Sequence, residues 1–306
     1  MGSKANQQIN DPGSWLQMLR ISNSPTIVSN AMVGVSLALV LHQNSWSSTI
    51  NPPPLTFVKP LVIILISLML MYLAGMVLND VFDAERDKKT KPSRPIPSGI
   101  ISKKHALNVG VSMLAIGAFL PLTINVPAGL ACISLAISIV LYTILHHKLL
   151  PAILLMGICR GLVYIAALLA CFQNPPAKIP ALFACTIALY TMLLTLIGRI
   201  ETSDFHAVRW LAWLAPLPIM IVLLMQETQS PIAWFMFVCL ATLCGFAWND
   251  LREKNKNIVA GMHKLLAGFA IVDCALIASL NENVIMMISI FCFVLTVAAH
   301  RKILGT

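Results

Sequence analysis

Charged residues are scarce in this chain, and their scarcity excludes an ordinary soluble domain. Of 306 residues only 11% are charged, whereas 58% are hydrophobic, and the mean hydropathy is +0.82. A typical globular domain carries charge on about a quarter of its residues. The composition therefore predicts a protein that crosses a membrane several times.

Sequence signals for cross-links, linkers and secretion are also absent. The eight cysteines are scattered, without CxxC or Cys/His spacing, so we expect neither disulfides nor a zinc site. No Gly/Ser-rich linker interrupts residues 21–306, which favours a single domain behind a polar tail of residues 1–20. The tail has no apolar core next to a cleavage site, so no cleavable signal peptide is expected.

Ten apolar segments have about the 17–25 residues that a helix needs to cross a bilayer core of roughly 30 Å. They are residues 24–42, 58–78, 105–124, 128–147, 150–172, 180–199, 208–225, 231–248, 264–281 and 284–300. The last two are separated only by a short polar stretch at residues 281–283. The predicted fold is an all-α, polytopic transmembrane helix bundle of nine or ten spans.

Lys and Arg residues lie almost entirely on one side of this predicted bundle. When successive loops are assigned to alternate sides, all but three of the 21 basic residues share the side of the N-terminus. Positive residues favour the cytoplasmic side, so the N-terminus and the loops beside it are predicted to be cytoplasmic. The net charge of +9 is then explained by topology and by contact with anionic membrane lipids, and it gives no reason to expect nucleic acid.

The densest charge follows the second apolar segment, in the sequence NDVFDAERD at residues 79–87. If the helix continues at about 100° per residue, four oxygen-bearing side chains share one face and Glu85 points away from it. The four are Asn79, Asp80, Asp83 and Asp87. Carboxylates in a row repel one another unless a cation joins them, and Mg²⁺ prefers oxygen ligands together with substrate phosphates. The pattern predicts a magnesium site; the alternative is a solvated loop that only helps to set topology.

The next stretch, KKTKPSRPIPSG, has the composition expected around a phosphate. Lys88, Lys89, Lys91 and Arg94 supply positive charge. The prolines at 92, 95 and 97 keep the segment out of a helix, so that it can fold back over the acidic face.

These motifs resemble the UbiA superfamily of intramembrane prenyltransferases. NDVFDAERD fits the superfamily's NDxxDxxxD signature, and RPIPSG is similar to its RPxxSG segment. The resemblance implies a prenyl diphosphate donor and Mg²⁺ held by the acidic face, with Asp83 and Asp87 as catalytic residues. The acceptor, a lipid or a small molecule, is left unidentified.

Further residues take roles from the same resemblance. YTILHHKLL is similar to the superfamily's turn between the fourth and fifth spans, which implies that Lys148 contacts the diphosphate. MGICRGLVYIAA resembles its Gly-rich fifth helix and implies a catalytic Arg160 in the cavity. Arg94 and Arg199 would cover the remaining diphosphate oxygens. Aromatic faces stabilise cations, so Tyr142, Tyr164 and Tyr190 are candidates beside the carbocation, with Tyr142 assigned to substrate binding.

The MGICRGL helix and the segment KLLAGFAIVDCALIA also resemble the UbiA-related member of the bacterial Ebo biosynthetic set. This narrower resemblance implies a small polar acceptor and a location in a bacterial inner membrane.

The second acidic motif of the superfamily, DxxxD, is altered here. GRIETSDFHAVR contains Glu201 and Asp204, three residues apart, which can still share a helix face as metal ligands. Alternatively, one metal is used and Arg199 supplies charge directly. A rival pair, Asp250 and Glu253, lies in WNDLREKNKN, one hairpin later.

Two further interpretations need a structure. The adjacent residues His146 and His147 would diverge by about 100° on a helix and are therefore not expected to face one cation together.

A cation-coupled transporter or a non-catalytic lipid-binding protein with a UbiA-like fold is the alternative function, although a transporter would more readily place acids near the membrane midplane in broken helices.

Overall fold

The computed structural model describes residues 12–45, 54–200, 210–251 and 258–302, and these residues form helices joined by short turns, with no strand among them. The α-helices, numbered along the chain, are α1 Pro12–Leu19, α2 Pro25–Ser45, α3 Pro54–Thr90, α4 Lys103–Phe119, α5 Val126–Leu145, α6 Leu149–Cys171, α7 Lys178–Ile200, α8 Leu211–Leu214, α9 Leu217–Met225, α10 Pro231–Leu251, α11 Ile258–Ser279 and α12 Asn283–Lys302. Short 3₁₀ turns, Ile21–Asn23 and Leu120–Thr123, precede α2 and follow α4.

Every apolar segment predicted from the sequence is helical in the part of the chain that the structure describes. Eight helices are long and apolar enough to cross a membrane, and two shorter apolar helical stretches, Leu211–Met225 and Asn283–Ala299, account for the other two segments. The first of these is broken into α8 and α9, where prolines at 216 and 218 interrupt the helical hydrogen bonds. The all-α membrane bundle is thus confirmed, with a span count close to the predicted nine or ten.

Helix α3 is the longest, with 37 residues, and at 1.5 Å per residue it extends about 55 Å. This is well beyond the roughly 30 Å of a bilayer core, so the helix continues past its apolar part and carries NDVFDAERD as one rigid rod. It ends at Thr90, two residues before Pro92, because the residue preceding a proline disfavours the α conformation. We call this end of the bundle the acidic end.

Helices α2 and α6 form the centre of the packing. Helix α2 contacts α6, α11 and α12, while α6 also packs on α5, α7 and α3. Close approach depends on Gly34 of α2, where an added Cβ would lie only 2.7 Å from the backbone nitrogen of Leu168 in α6. The absence of a side chain at Gly34 therefore lets the two backbones come together.

A buried polar network joins these central helices to α11. Asp273 is fully buried and accepts hydrogen bonds from the Ser29 hydroxyl of α2, from Asn30 Nδ2 of α2 at 2.8 and 3.0 Å, and from the Tyr164 hydroxyl of α6. The amide oxygen of Asn30 accepts in turn from Arg160 Nη1 at 2.6 Å. Asn30 thus links a carboxylate to a guanidinium inside the bundle, where an unpaired charge would be costly.

We expect Asp273→Ala to destabilise the protein by about 3–5 kcal/mol, because it removes the acceptor of several hydrogen bonds and leaves Arg160 without a compensating charge. Thermal unfolding in detergent, followed with a thiol-reactive dye, measures the loss. The double substitution of Asp273→Asn with Asn30→Asp keeps one carboxylate and one amide in the network. It should therefore recover most of the stability that Asp273→Ala loses. Ser36→Ala is the matched control, since the Ser36 hydroxyl on α2 is buried without a hydrogen-bond partner.

Unfolding of Asp273→Ala at the wild-type temperature would contradict this account of the network. So would a double variant that is no more stable than Asp273→Ala.

Candidate active site at the acidic end

The acidic face of α3 forms as the helical period predicts. Asp80 and Asp87 are buried and Asp83 is partly buried. On the opposite side Glu85 is exposed and pairs with Lys88 at 3.2 Å and with Lys103 at 3.9 Å. The face is therefore turned into the bundle, and only Glu85 of this group faces outward.

The loop after α3 covers this face through Arg94. Its Nη1 donates to Asp87 Oδ2 at 2.6 Å and lies 3.5 Å from Asp80 Oδ1. The loop is anchored by Ile96 and Ile101, which are buried in a small apolar cluster with side chains of α1, α3 and α4. The predicted folding-back of the proline-rich segment is thus confirmed.

The other bases of that segment do not cover the acidic face. Lys88, Lys89 and Lys91 are exposed, and Lys88 pairs with Glu85 on the opposite side of α3. Gly99, with a φ of 79°, adopts the left-handed conformation that glycine tolerates and leads the chain into α4.

Arg20 joins the site from the N-terminal segment, where the sequence analysis assigned no function. Its Nη2 lies 3.3 Å from Asp80 Oδ1, and its carbonyl accepts from the Tyr72 hydroxyl at 2.9 Å. Arg20 has a φ of 45°, in the left-handed region that non-glycine residues seldom adopt. This turn between α1 and the 3₁₀ segment directs the side chain toward α3, and nothing in the local sequence pattern indicates it.

The turn between α5 and α6 also contributes to the site, against the expectation for its two histidines. His146 Nε2 lies 3.0 Å from Asp83 Oδ1, and the rings of His146 and His147 are 4.1 Å apart. The prediction that they diverge is therefore wrong: α5 ends at Leu145 with His146 as its C-cap, and the turn that follows brings the two rings together. Arg199 of α7 donates to the His146 carbonyl.

Tyr142 and Lys148 flank this turn. The Tyr142 ring lies 5.8 Å from that of His146. Lys148 is exposed immediately before α6. The turn therefore brings Tyr142 and Arg199 to the acidic end, with Lys148 at its outer edge.

Arg160 lies deeper, in the middle of α6. Besides Asn30 it contacts the Thr26 hydroxyl at 3.3 Å, and its guanidinium carbon is 4.3 Å from the centre of the Phe269 ring. The predicted interior position is thus observed. Asp273, its charge partner through Asn30, was given no role by the sequence analysis, although an acid inside an apolar segment is itself a signal of function.

The remaining aromatic and acidic candidates separate into three cases. Tyr164 and Tyr190 are fully buried. Their hydroxyls donate hydrogen bonds to Asp273 and to the Leu265 carbonyl, so both side chains contribute to helix packing in the core. Asp250 pairs with Lys264 of α11. Three further candidates lie outside the described residues: Glu201, Asp204 and Glu253.

The residues of the acidic face fit a divalent cation. Asn79 Oδ1 is buried and has no hydrogen-bond partner, although a buried amide oxygen is costly when left unpaired. It lies on the same face as the carboxylates of Asp80, Asp83 and Asp87, and hard cations such as Mg²⁺ take oxygen ligands of both kinds. The donor set therefore matches Mg²⁺, with positive side chains beside it that are suited to an anionic ligand.

Comparison with curated proteins identifies partial relatives. Residues spanning 38% of this chain are 34% identical, over 117 residues, to the digeranylgeranylglyceryl phosphate synthase of Sulfolobus acidocaldarius, covering 36% of that protein. The Methanosarcina barkeri enzyme of the same name is 31% identical over 129 residues, which cover 42% of this chain and 44% of that protein. The chain thus matches less than half the length of either relative.

Solved structures share the fold over nearly the whole chain. A UbiA homologue from Aeropyrum pernix K1 superposes with a TM-score of 0.63 at 16% identity, covering 82% of this chain and 96% of the other. A UbiA homologue from Archaeoglobus fulgidus, bound to GPP and Mg²⁺, gives 0.59 at 15% identity, covering 90% and 99%. The family model for the UbiA prenyltransferase family matches residues 31–265. With this match over most of its length, the chain belongs to the UbiA prenyltransferase family.

Proposed function

We propose that the protein is a Mg²⁺-dependent intramembrane prenyltransferase, which moves an isoprenoid group from a prenyl diphosphate to an acceptor and releases diphosphate. The observation that carries the proposal is the convergence of four oxygen-bearing side chains of α3 with Arg20, Arg94 and Arg199 at one end of an apolar bundle. The Archaeoglobus homologue bound to GPP and Mg²⁺ supports the same class of donor.

The chain's own groups would bind and orient the donor. Asn79, Asp83 and Asp87, with Asp80, would hold Mg²⁺, which when bound neutralises diphosphate oxygens as negative charge develops on the leaving group. Arg94 and Arg20 already lie beside the carboxylates and would contact the diphosphate oxygens directly. Charges fixed before the reaction stabilise the transition state without reorganisation.

The bundle interior would hold the isoprenoid chain away from water. Its lining is largely apolar, but the network of Arg160, Asn30 and Asp273 places polar groups at depth. The acceptor stays unassigned. The glyceryl phosphate in the names of the archaeal relatives makes a glycerol phosphate ether one candidate, and the Ebo-like resemblance makes a small polar compound another.

The transporter alternative is less well supported. It requires acids that exchange a cation near the membrane midplane, and Asp273 is the acid nearest to that description. However, α11 runs unbroken from Ile258 to Ser279. Both Asp273 oxygens accept hydrogen bonds from α2, and Oδ1 also accepts one from Tyr164 of α6. This carboxylate is engaged in helix packing, while the exposed bases and the acidic face meet at the bundle end that we propose to be cytoplasmic, in a bacterial inner membrane.

We expect Asp83→Asn and Asp87→Asn each to lower turnover by about 100-fold or more, the size of loss seen when a preorganised transition-state contact is removed. Purified protein is incubated with Mg²⁺ and prenyl diphosphates of increasing length, with and without geranylgeranylglyceryl phosphate, and diphosphate release is measured. Glu85→Gln is the matched control, because Glu85 lies on the same helix but faces outward.

Melting temperatures of the purified variants separate lost activity from lost folding. The proposal fails if wild-type protein neither binds nor turns over any prenyl diphosphate in a Mg²⁺-dependent manner. Full activity in both Asp variants would remove the metal assignment.

A second comparison decides which later loop completes the site. We expect Glu201→Gln to reduce turnover and Asp250→Asn to leave it near wild type, since Asp250 is already engaged by Lys264. The same diphosphate-release measurement applies. The reverse order of effects would assign the site to the Asp250 loop.

A further inference from the structure

Asp83, His146 and His147 form a group of potential metal ligands that differs from an all-oxygen magnesium site. One ligand atom from each residue lies within 4.8 Å of the other two, and His146 Nε2 is 3.0 Å from Asp83 Oδ1. Two ligands about 2.1 Å from one ion and at right angles to each other lie about 3 Å apart. The partly buried Asp83 and the buried His146 are therefore at ligand spacing, which is also hydrogen-bonding distance, and the ligand atom of the exposed His147 lies within 4.8 Å of both.

The orientation of His146 supports this interpretation. Its Nδ1 lies 2.9 Å from the Thr143 carbonyl oxygen, which can only accept, so Nδ1 carries the hydrogen and Nε2 faces Asp83. A hydrogen bond from the second ring nitrogen to a backbone carbonyl is the usual way in which a metal-binding histidine is fixed. The carbonyl of His146 is held in turn by Arg199.

We propose that Asp83, His146 and His147 bind a second cation, a late first-row divalent ion of the class of Co²⁺, Zn²⁺ or Fe²⁺, beside the Mg²⁺ of the acidic face, with the Asp83 carboxylate shared between the two ions. Imidazole nitrogen is a good ligand for these ions, whereas Mg²⁺ prefers carboxylate, carbonyl and water oxygen. The metal preference follows from the ligand set alone.

The consequence for the reaction rests on the proposed function. One carboxylate and two neutral imidazoles leave a divalent ion with a net charge of about +1 and with open coordination positions. Diphosphate oxygens of the donor would be able to fill such positions. The histidine turn would then provide part of the metal binding that the altered acidic motif around residue 201 does not supply in its usual form.

Co²⁺ is the probe, because its visible absorption reports nitrogen ligands. Protein purified with a histidine-free affinity tag is stripped with chelator and titrated with Co²⁺ in detergent, without donor. We expect saturation near one equivalent, displacement by Zn²⁺, and little displacement by Mg²⁺ at the same concentration. His147→Asn should weaken Co²⁺ binding by at least tenfold, since even the loss of an outer-shell partner costs about 10–100-fold.

His105→Asn is the matched control. His105 is an exposed histidine at the same end of the bundle, packed on Trp15, and its replacement should leave Co²⁺ binding unchanged. His147 is also exposed, so its variant should fold, and its melting temperature is compared with that of wild type.

Unchanged Co²⁺ binding in His147→Asn would overturn the inference, and so would Mg²⁺ displacing Co²⁺ as effectively as Zn²⁺ does. Mg²⁺-dependent binding of geranyl diphosphate is measured in parallel. Donor binding without Co²⁺ selectivity leaves the prenyltransferase proposal standing and removes the histidine site. Co²⁺ selectivity without any donor binding leaves the histidine site standing and removes the prenyltransferase proposal.

Discussion

Arg94 shared between Asp80 and Asp87 is the contact on which the acidic end depends. The two carboxylates lie two turns apart on α3 and face inward, where their mutual repulsion and their burial both oppose the arrangement. One guanidinium within 3.5 Å of both offsets part of that cost and ties the proline-rich loop to the helix. Arg20 adds a second charge from the N-terminal segment. The proposed prenyl diphosphate site would thus have two arginines in place beside its proposed metal-binding face.

The second charged region lies deeper and has a different purpose. Arg160 and Asp273 are not in direct contact as an ion pair; Asn30 lies between them and bonds to both. An amide can do this because it offers an acceptor at one end and donors at the other. The same three residues belong to α6, α11 and α2, so the network that neutralises the charges also fixes the packing of the central helices around the proposed substrate cavity.

Sequence periodicity predicted the features that depend on neighbouring residues. The apolar segments became helices, and the inward face of α3 from Asn79 to Asp87 followed from the helical repeat. The same reasoning failed at His146 and His147, because the helical repeat was extended one and two residues beyond Leu145, where α5 ends. Boundaries depend on local capping and on tertiary contacts, which a single periodic pattern does not contain, and the error concealed a group of three potential ligands.

The sequence by itself determined that the chain is a membrane bundle and that its acids line one face of one helix, because hydropathy and helical period are local properties. Only the tertiary structure decided which cation meets which acid. Arg20 reaches Asp80 across 60 positions of the sequence, and Asn30 reaches Asp273 across 243. Such pairings arise from the way helices pack, and packing depends on close contacts such as that at Gly34, which no short motif encodes.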